Sequence, residues 1–157
     1  SLLDLFPSIL PGTLLDIARH EFLPADLRKL NTHLRDNTDE VSGRTPGASG
    51  SFKEYPTFAS LHRPLCTYFA VLTQFASGTA DATTVAAISH GAFEYCNLLH
   101  SYAQDYEWSA VVRYHMAFHD VQRREMANGN YAGWGKPDIV LMGLFLVGRN
   151  RRTTSGS

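Results

Sequence analysis

Leu23, Leu27, Leu30 and Leu34 recur at spacings of four, three and four, which lays one apolar stripe along a helix opening at Pro24. Proline suits that first position because its missing N–H would be orphaned there anyway. Just upstream, Thr13 can cap a shorter helical segment carrying Leu14, Leu15, Ile17 and Ala18. The pattern then stops. Asp36 to Ser51 reads DNTDEVSGRTPGASGS, with Val41 its one apolar side chain larger than alanine. Such a stretch cannot offset its own ordering entropy, so a flexible linker is expected at 36–51. The leading segment, 1–35, is too small to fold alone and is expected to dock on the main body or on a partner.

Periodicity resumes near Phe52. From Pro56 onward, Phe58, Leu61, Leu65, Tyr68, Phe69, Leu72 and Phe75 share one broad helical face that Ser77-Gly78 should close. Pro64 lies inside this pattern and predicts a kink or break. Asp81 is positioned to cap a second helix with Val85, Ile88, Ala92, Tyr95, Cys96, Leu99 and Tyr102 inward. Trp108, Val111, Val112, His115, Phe118, His119 and Met126 mark a third helix closing at Asn128-Gly129. After a loop from Asn130 to Lys136, Pro137 and Asp138 open a last helix, Ile139 to Val147, closed by Gly148. It is apolar nearly all round, which predicts a place at the centre of the core or in an interface. The chain shows neither strand alternation nor an internal repeat. The expected fold is all-α: a compact bundle of about four main helices (52–148), a two-helix leading segment on a linker, and a disordered basic tail (149–157).

Charged residues are 18% of the 157 positions, against the ~25% usual for globular proteins. A more neutral surface favours self-association or a protein partner. The net charge of −1 excludes a whole-chain electrostatic nucleic-acid binder, so any RNA or DNA footprint must be local. No apolar run reaches ~18 residues, so no membrane span is expected. The N-terminus has no basic start or cleavage site of a signal peptide, and Ser1 without a methionine suggests one domain of a longer chain. Cys66 and Cys96 lie in apolar periodic stretches and read as buried free thiols in a reducing compartment, the cytoplasm or nucleus.

Chemistry-bearing residues are few. His115 and His119, four apart on a helix, place two imidazoles on one face, as zinc sites require. The glutamate of a hydrolase signature is missing, with Met116 in its place, and neither His90 nor His100 is fixed as a third ligand. Histidines packed in the core are the favoured reading. Cys96 lies near His100 in helical spacing, but between Tyr95 and Leu98, so a core thiol is favoured over a nucleophile. No phosphate-cradling glycine motif is present, and no cofactor is implied. Tyr131 and Trp134 form a recognition loop or, in the favoured reading, Trp134 folds back to plug the bundle end. Arg113, Arg123 and Arg124 on the third helix, with Arg149, Arg151 and Arg152 on the tail, are the candidate phosphate contacts. Glu107, Asp120 and Glu125 nearly cancel the helix set, so a solvated face is favoured there. Leu27, Leu30 and Leu34 are candidate partner-facing residues.

One larger arrangement stands out. It comprises the run Tyr106-Glu107-Trp108-Ser109-Ala110-Val111-Val112-Arg113-Tyr114-His115, then Phe118-His119, Arg123-Arg124, Trp134 and Asp138. Upstream are Phe6-Pro7 through Ile17-Ala18, Phe22-Leu23-Pro24, Asp26-Leu27 and Lys29-Leu30. The arrangement resembles gag-like N-terminal regions of eukaryotic retrotransposons, fungal or DIRS-type in particular. The resemblance implies an all-helical capsid-like or adaptor module that self-associates and accompanies element RNA or DNA. It carries over no catalytic residue, and the chain lacks the Cys-Cys-His-Cys knuckle of a full gag protein. The expectation is therefore a non-enzymatic assembly module. The alternatives are a nucleic-acid binder using the arginines and a metal-dependent hydrolase at His115 and His119.

Overall fold

The computed structural model describes residues 1–31 and 53–151. The expected linker, Leu34 and Arg152 lie outside the described residues. Within them the protein is all-α, in the order α1 (Leu2–Leu5), α2 (Pro11–Ala18), a 3₁₀ helix (Pro24–Leu30), α3 (Phe58–Thr79), α4 (Ala82–Asp105), α5 (Trp108–Ala127) and α6 (Ile139–Phe145). The long helices α3, α4 and α5 form the body, and one continuous core runs from Ile9 to Leu146.

Local chemistry sets the helix ends. Thr57 and Ser60 form a reciprocal capping box at the start of α3, with Ser60 N–H donating to Thr57 Oγ1 and Thr57 N–H to Ser60 Oγ. Asp81 accepts from Thr84 N–H at 2.8 Å and opens α4. Gly129, with φ of +91°, takes the left-handed conformation that stops α5. The break expected at Pro64 does not occur, and α3 runs unbroken to Thr79. An interior proline costs about 3 kcal/mol. Burial of Leu61, Leu65 and Tyr68, about 1.5–3 kcal/mol each, exceeds that cost and keeps the helix continuous.

The leading segment packs in cis. Its 3₁₀ helix contacts α3 and α5, and α2 contacts α3. The expected second α-helix is instead a 3₁₀ helix, tied down by a residue the periodicity did not single out. Tyr55 is wholly buried. Its hydroxyl donates to the Ala25 carbonyl and accepts from Arg28 N–H, both at 2.9 Å. Its own carbonyl accepts from the Trp108 indole N–H at 2.6 Å, which joins the segment to the start of α5.

The start of the tail is also held, contrary to expectation. Asn150 bridges Tyr106, Glu107 N–H donates to the Arg149 carbonyl at 2.8 Å, and Arg151 N–H donates to the Asp105 carbonyl at 3.0 Å. The junction between α4 and α5 leaves these backbone groups free of helical partners, and residues 149–151 supply them.

Candidate interaction surface

α6 is built to sit on the body with one side only. Asp138 caps it, accepting from Leu141 N–H at 3.0 Å, while its own N–H donates to the Tyr114 hydroxyl at 3.3 Å. Leu141, Met142 and Phe145 pack partly buried against the core, and Leu146 just beyond is fully buried. The opposite side carries Ile139, Val140, Leu144 and Val147, which are 81%, 72%, 70% and 72% exposed. A central place in the core is thus corrected. A helix of seven residues spans roughly 10 Å, and its neighbour α5 covers one side of it. From Ile139 to Gly148 no charged residue occurs. Gly143 lies on the open side too, with nothing near the place its Cβ would take. An open groove of about 410 Å³ adjoins the N-terminal end of this face, lined by Val121, Gln122, Glu125, Pro137, Ile139 and Val140.

The histidine pair lies elsewhere and is closed. His115 and His119 are fully buried. The Tyr95 hydroxyl and His115 Nδ1 share a hydrogen bond of 2.6 Å, and His115 Nε2 and His119 Nδ1 lie 3.3 Å apart. The rings of Tyr68 and Trp134 flank His119 at 4.7 and 5.2 Å. Burial pushes His115 down to about 3. Burial does the same to His119, helped by the neighbouring His115 and Arg123, and holds it well below the usual imidazole range. Both rings are therefore neutral and serve as packing and hydrogen-bonding groups. Among the described residues no third His, Cys, Asp or Glu joins them to hold a metal. The two imidazoles of the hydrolase candidate share no open centre, since both are fully buried.

The other sequence candidates are mostly engaged within the chain. Leu27 and Leu30 are buried against their own body, so they offer nothing to a partner. The Tyr131 hydroxyl and His20 Nε2 share a 2.8 Å hydrogen bond that ties the loop to the leading segment. Trp134 is the plug and not a recognition residue. It is fully buried, with the rings of Tyr68, Phe69, Tyr95 and Phe118 around it and its indole N–H directed at Met126 Sδ, 3.5 Å away. The arginines do not converge. Arg123 donates to Asp120 from Nε and Nη2 and to the His20 carbonyl from Nη1, and Arg124 pairs with Asp120 at 3.3 Å. Arg149 pairs with Glu107 at 3.8 Å, and Arg151 donates to the Ala103 carbonyl. The two groups attach at opposite ends of α5, separated by roughly 24 Å along the helix. Arg113 is exposed. The thiols are not both buried: Cys66 is exposed and Cys96 half-buried.

The exposed side of α6 was legible in the sequence only as an all-round apolar helix, since periodicity cannot say which side the fold covers. Among the described residues no helix is long and apolar enough to cross a membrane. No protein-family model, curated protein or solved structure matches the chain.

Proposed function

We propose that this chain is a non-enzymatic self-assembly module that pairs through the outward face of α6, in keeping with its resemblance to gag-like regions of retrotransposons. The observation that carries the reading is the uncharged run from Ile139 to Gly148, whose outer side chains stand in solvent. A monomer gains nothing by presenting four large aliphatic side chains together on one short helix. A second copy of the same chain is the favoured occupant because the surface has no charge to repel itself. The adjoining groove offers an acceptor for side chains from the facing copy.

Burying these four side chains on each of two copies contributes about 1.5–3 kcal/mol per residue, opposed by an association cost of about 4–15 kcal/mol. Midrange values of about 18 and about 10 kcal/mol leave about 8 kcal/mol, a dissociation constant on the order of micromolar. In sedimentation velocity the wild type should shift from monomer toward dimer as concentration rises through that range. Leu144→Glu should weaken the association by at least ~10-fold, because each dimer then buries two carboxylates. Its melting temperature should hold, since Leu144 is exposed in the monomer. Phe93→Ser, at an exposed position on α4, should associate like wild type. A wild type that stays monomeric throughout, or a Leu144→Glu protein that associates normally, refutes the proposal.

A further inference from the structure

α3 and α4 form an antiparallel hairpin through Ala80 and Asp81. His62 and Cys66 lie four residues apart on α3, and Cys96 and His100 lie four apart on α4. Each pair therefore projects from one face of its own helix. Because the helices run in opposite directions, the step from His62 to Cys66 along α3 matches the step from His100 to Cys96 along α4. The thiols meet thiols and the imidazoles meet imidazoles.

The side chains follow this register. His62 Nε2 and Cys66 Sγ are 3.3 Å apart. One donor atom from each of His62, Cys66 and Cys96 lies within 4.8 Å of the other two. Among the described residues no other group of three or more His, Cys, Asp or Glu side chains comes so close. Phe58 holds the two imidazoles on one side, stacking on the His62 ring at 4.9 Å and standing 5.2 Å from the His100 ring. His100 is exposed, so its ring is free to turn, and the exposed Cys66 leaves a path from solvent.

We propose that His62, Cys66 and Cys96 bind a zinc-class divalent cation, with His100 turning in as the fourth ligand. Two thiolates and two imidazoles are the donor set of a closed tetrahedral structural zinc site. Bond lengths of about 2.0–2.3 Å place neighbouring donors roughly 3.3–3.8 Å apart in a tetrahedron, so the His62–Cys66 spacing already fits and the others need to contract by roughly 1.5 Å at most. Burial and the neighbouring thiol push Cys96 up to about 12, so without an ion these thiols keep their protons. The cation displaces both protons on binding and becomes the charge partner of two thiolates. Its mechanical effect is to clamp the open end of the hairpin, remote from the Ala80–Asp81 turn. It shares no residue with α6, so its failure would leave the assembly proposal standing.

The test uses the whole chain, stripped with chelator, kept reduced with a phosphine, and titrated with zinc chloride against a chromophoric competitor. One equivalent should bind and survive gel filtration. Cobalt(II) in its place should give the intense visible absorption of a tetrahedral thiolate site. Cys66→Ser and Cys96→Ser should each weaken zinc binding by roughly 100-fold or more, while His100→Ala should weaken it less and alter the cobalt spectrum. His90→Ala, at an exposed histidine off the cluster, should match wild type. Circular dichroism at each step keeps loss of binding distinct from loss of fold. No stoichiometric zinc on the folded wild type overturns the proposal. Folded Cys66→Ser and Cys96→Ser proteins that bind as wild type does also overturn it, as does a Cys66–Cys96 disulfide that persists in the reductant.

Discussion

Taking the protein from pH 7.5 to pH 5 should remove roughly 4 kcal/mol of stability, a quarter or more of the ~5–15 kcal/mol typical of a folded domain. The cause is the buried pair His115 and His119, both held neutral by burial. In the unfolded chain each imidazole takes up a proton below about pH 6.5. In the folded state neither does so until far lower, with His115 down at about 3. The unfolded state therefore binds more protons throughout this window, and stability falls as pH falls. Each histidine contributes about 1.4 kcal/mol per pH unit below 6.5, or about 2 kcal/mol by pH 5. His20 and His62, also lowered by burial, act with the same sign. Urea unfolding at the two pH values checks this. A His119→Gln protein, neutral in both states, should show about half the pH dependence carried by the pair. Equal unfolding midpoints at pH 7.5 and 5 would mean that these rings are not sealed in the core.

Trp134→Ala should cost about 3–5 kcal/mol, the range for deleting a buried aromatic from a core. Trp134 fills the space between α3, α4 and α5, with Phe69 edge-on at 4.7 Å and His119 at 5.2 Å. The chain is shaped around it. Gly91 of α4 lies so close that an added Cβ would meet Trp134 Cβ at 2.9 Å and Gly135 N at 3.3 Å, so only glycine lets the loop lie down on the helix. The loss should appear as a lower urea midpoint, together with increased solvent exposure of His119. A Trp134→Ala protein within 1 kcal/mol of wild type would place the indole outside the core.

These two residues also show what could be read before the fold was known. The sequence points to packing for His115, in a helix-spaced histidine pair without a glutamate, and for Trp134, whose large apolar area favours burial. Their partners were not legible. Tyr55 follows a polar stretch and belongs to no stripe, yet its hydroxyl and carbonyl fasten the leading segment to α5. A lone aromatic gives no sign of the backbone groups it will satisfy. The hold on Arg149 to Arg151 was hidden for the same reason, since it is made largely through the main chain. The cluster of His62, Cys66, Cys96 and His100 was half visible. The i, i+4 relation of Cys96 and His100 is local, whereas its match to His62 and Cys66 appears only when α3 and α4 are paired antiparallel. For α6 the all-round apolar pattern predicts the centre of the core or an interface, and it cannot distinguish the two, whereas in the fold Ile139, Val140 and Leu144 stand in solvent.

The outward face of α6 is the hinge of the functional account, and hydrogen exchange at its amides addresses it most directly. The backbone amides of residues 140–147 should exchange more slowly at high protein concentration than at low, while those of α3, which lines no part of the adjoining groove, stay unchanged. That pattern is expected only if copies of the chain cover α6. Exchange across α6 that is independent of concentration, from well below the micromolar range to well above it, would contradict assembly through this face.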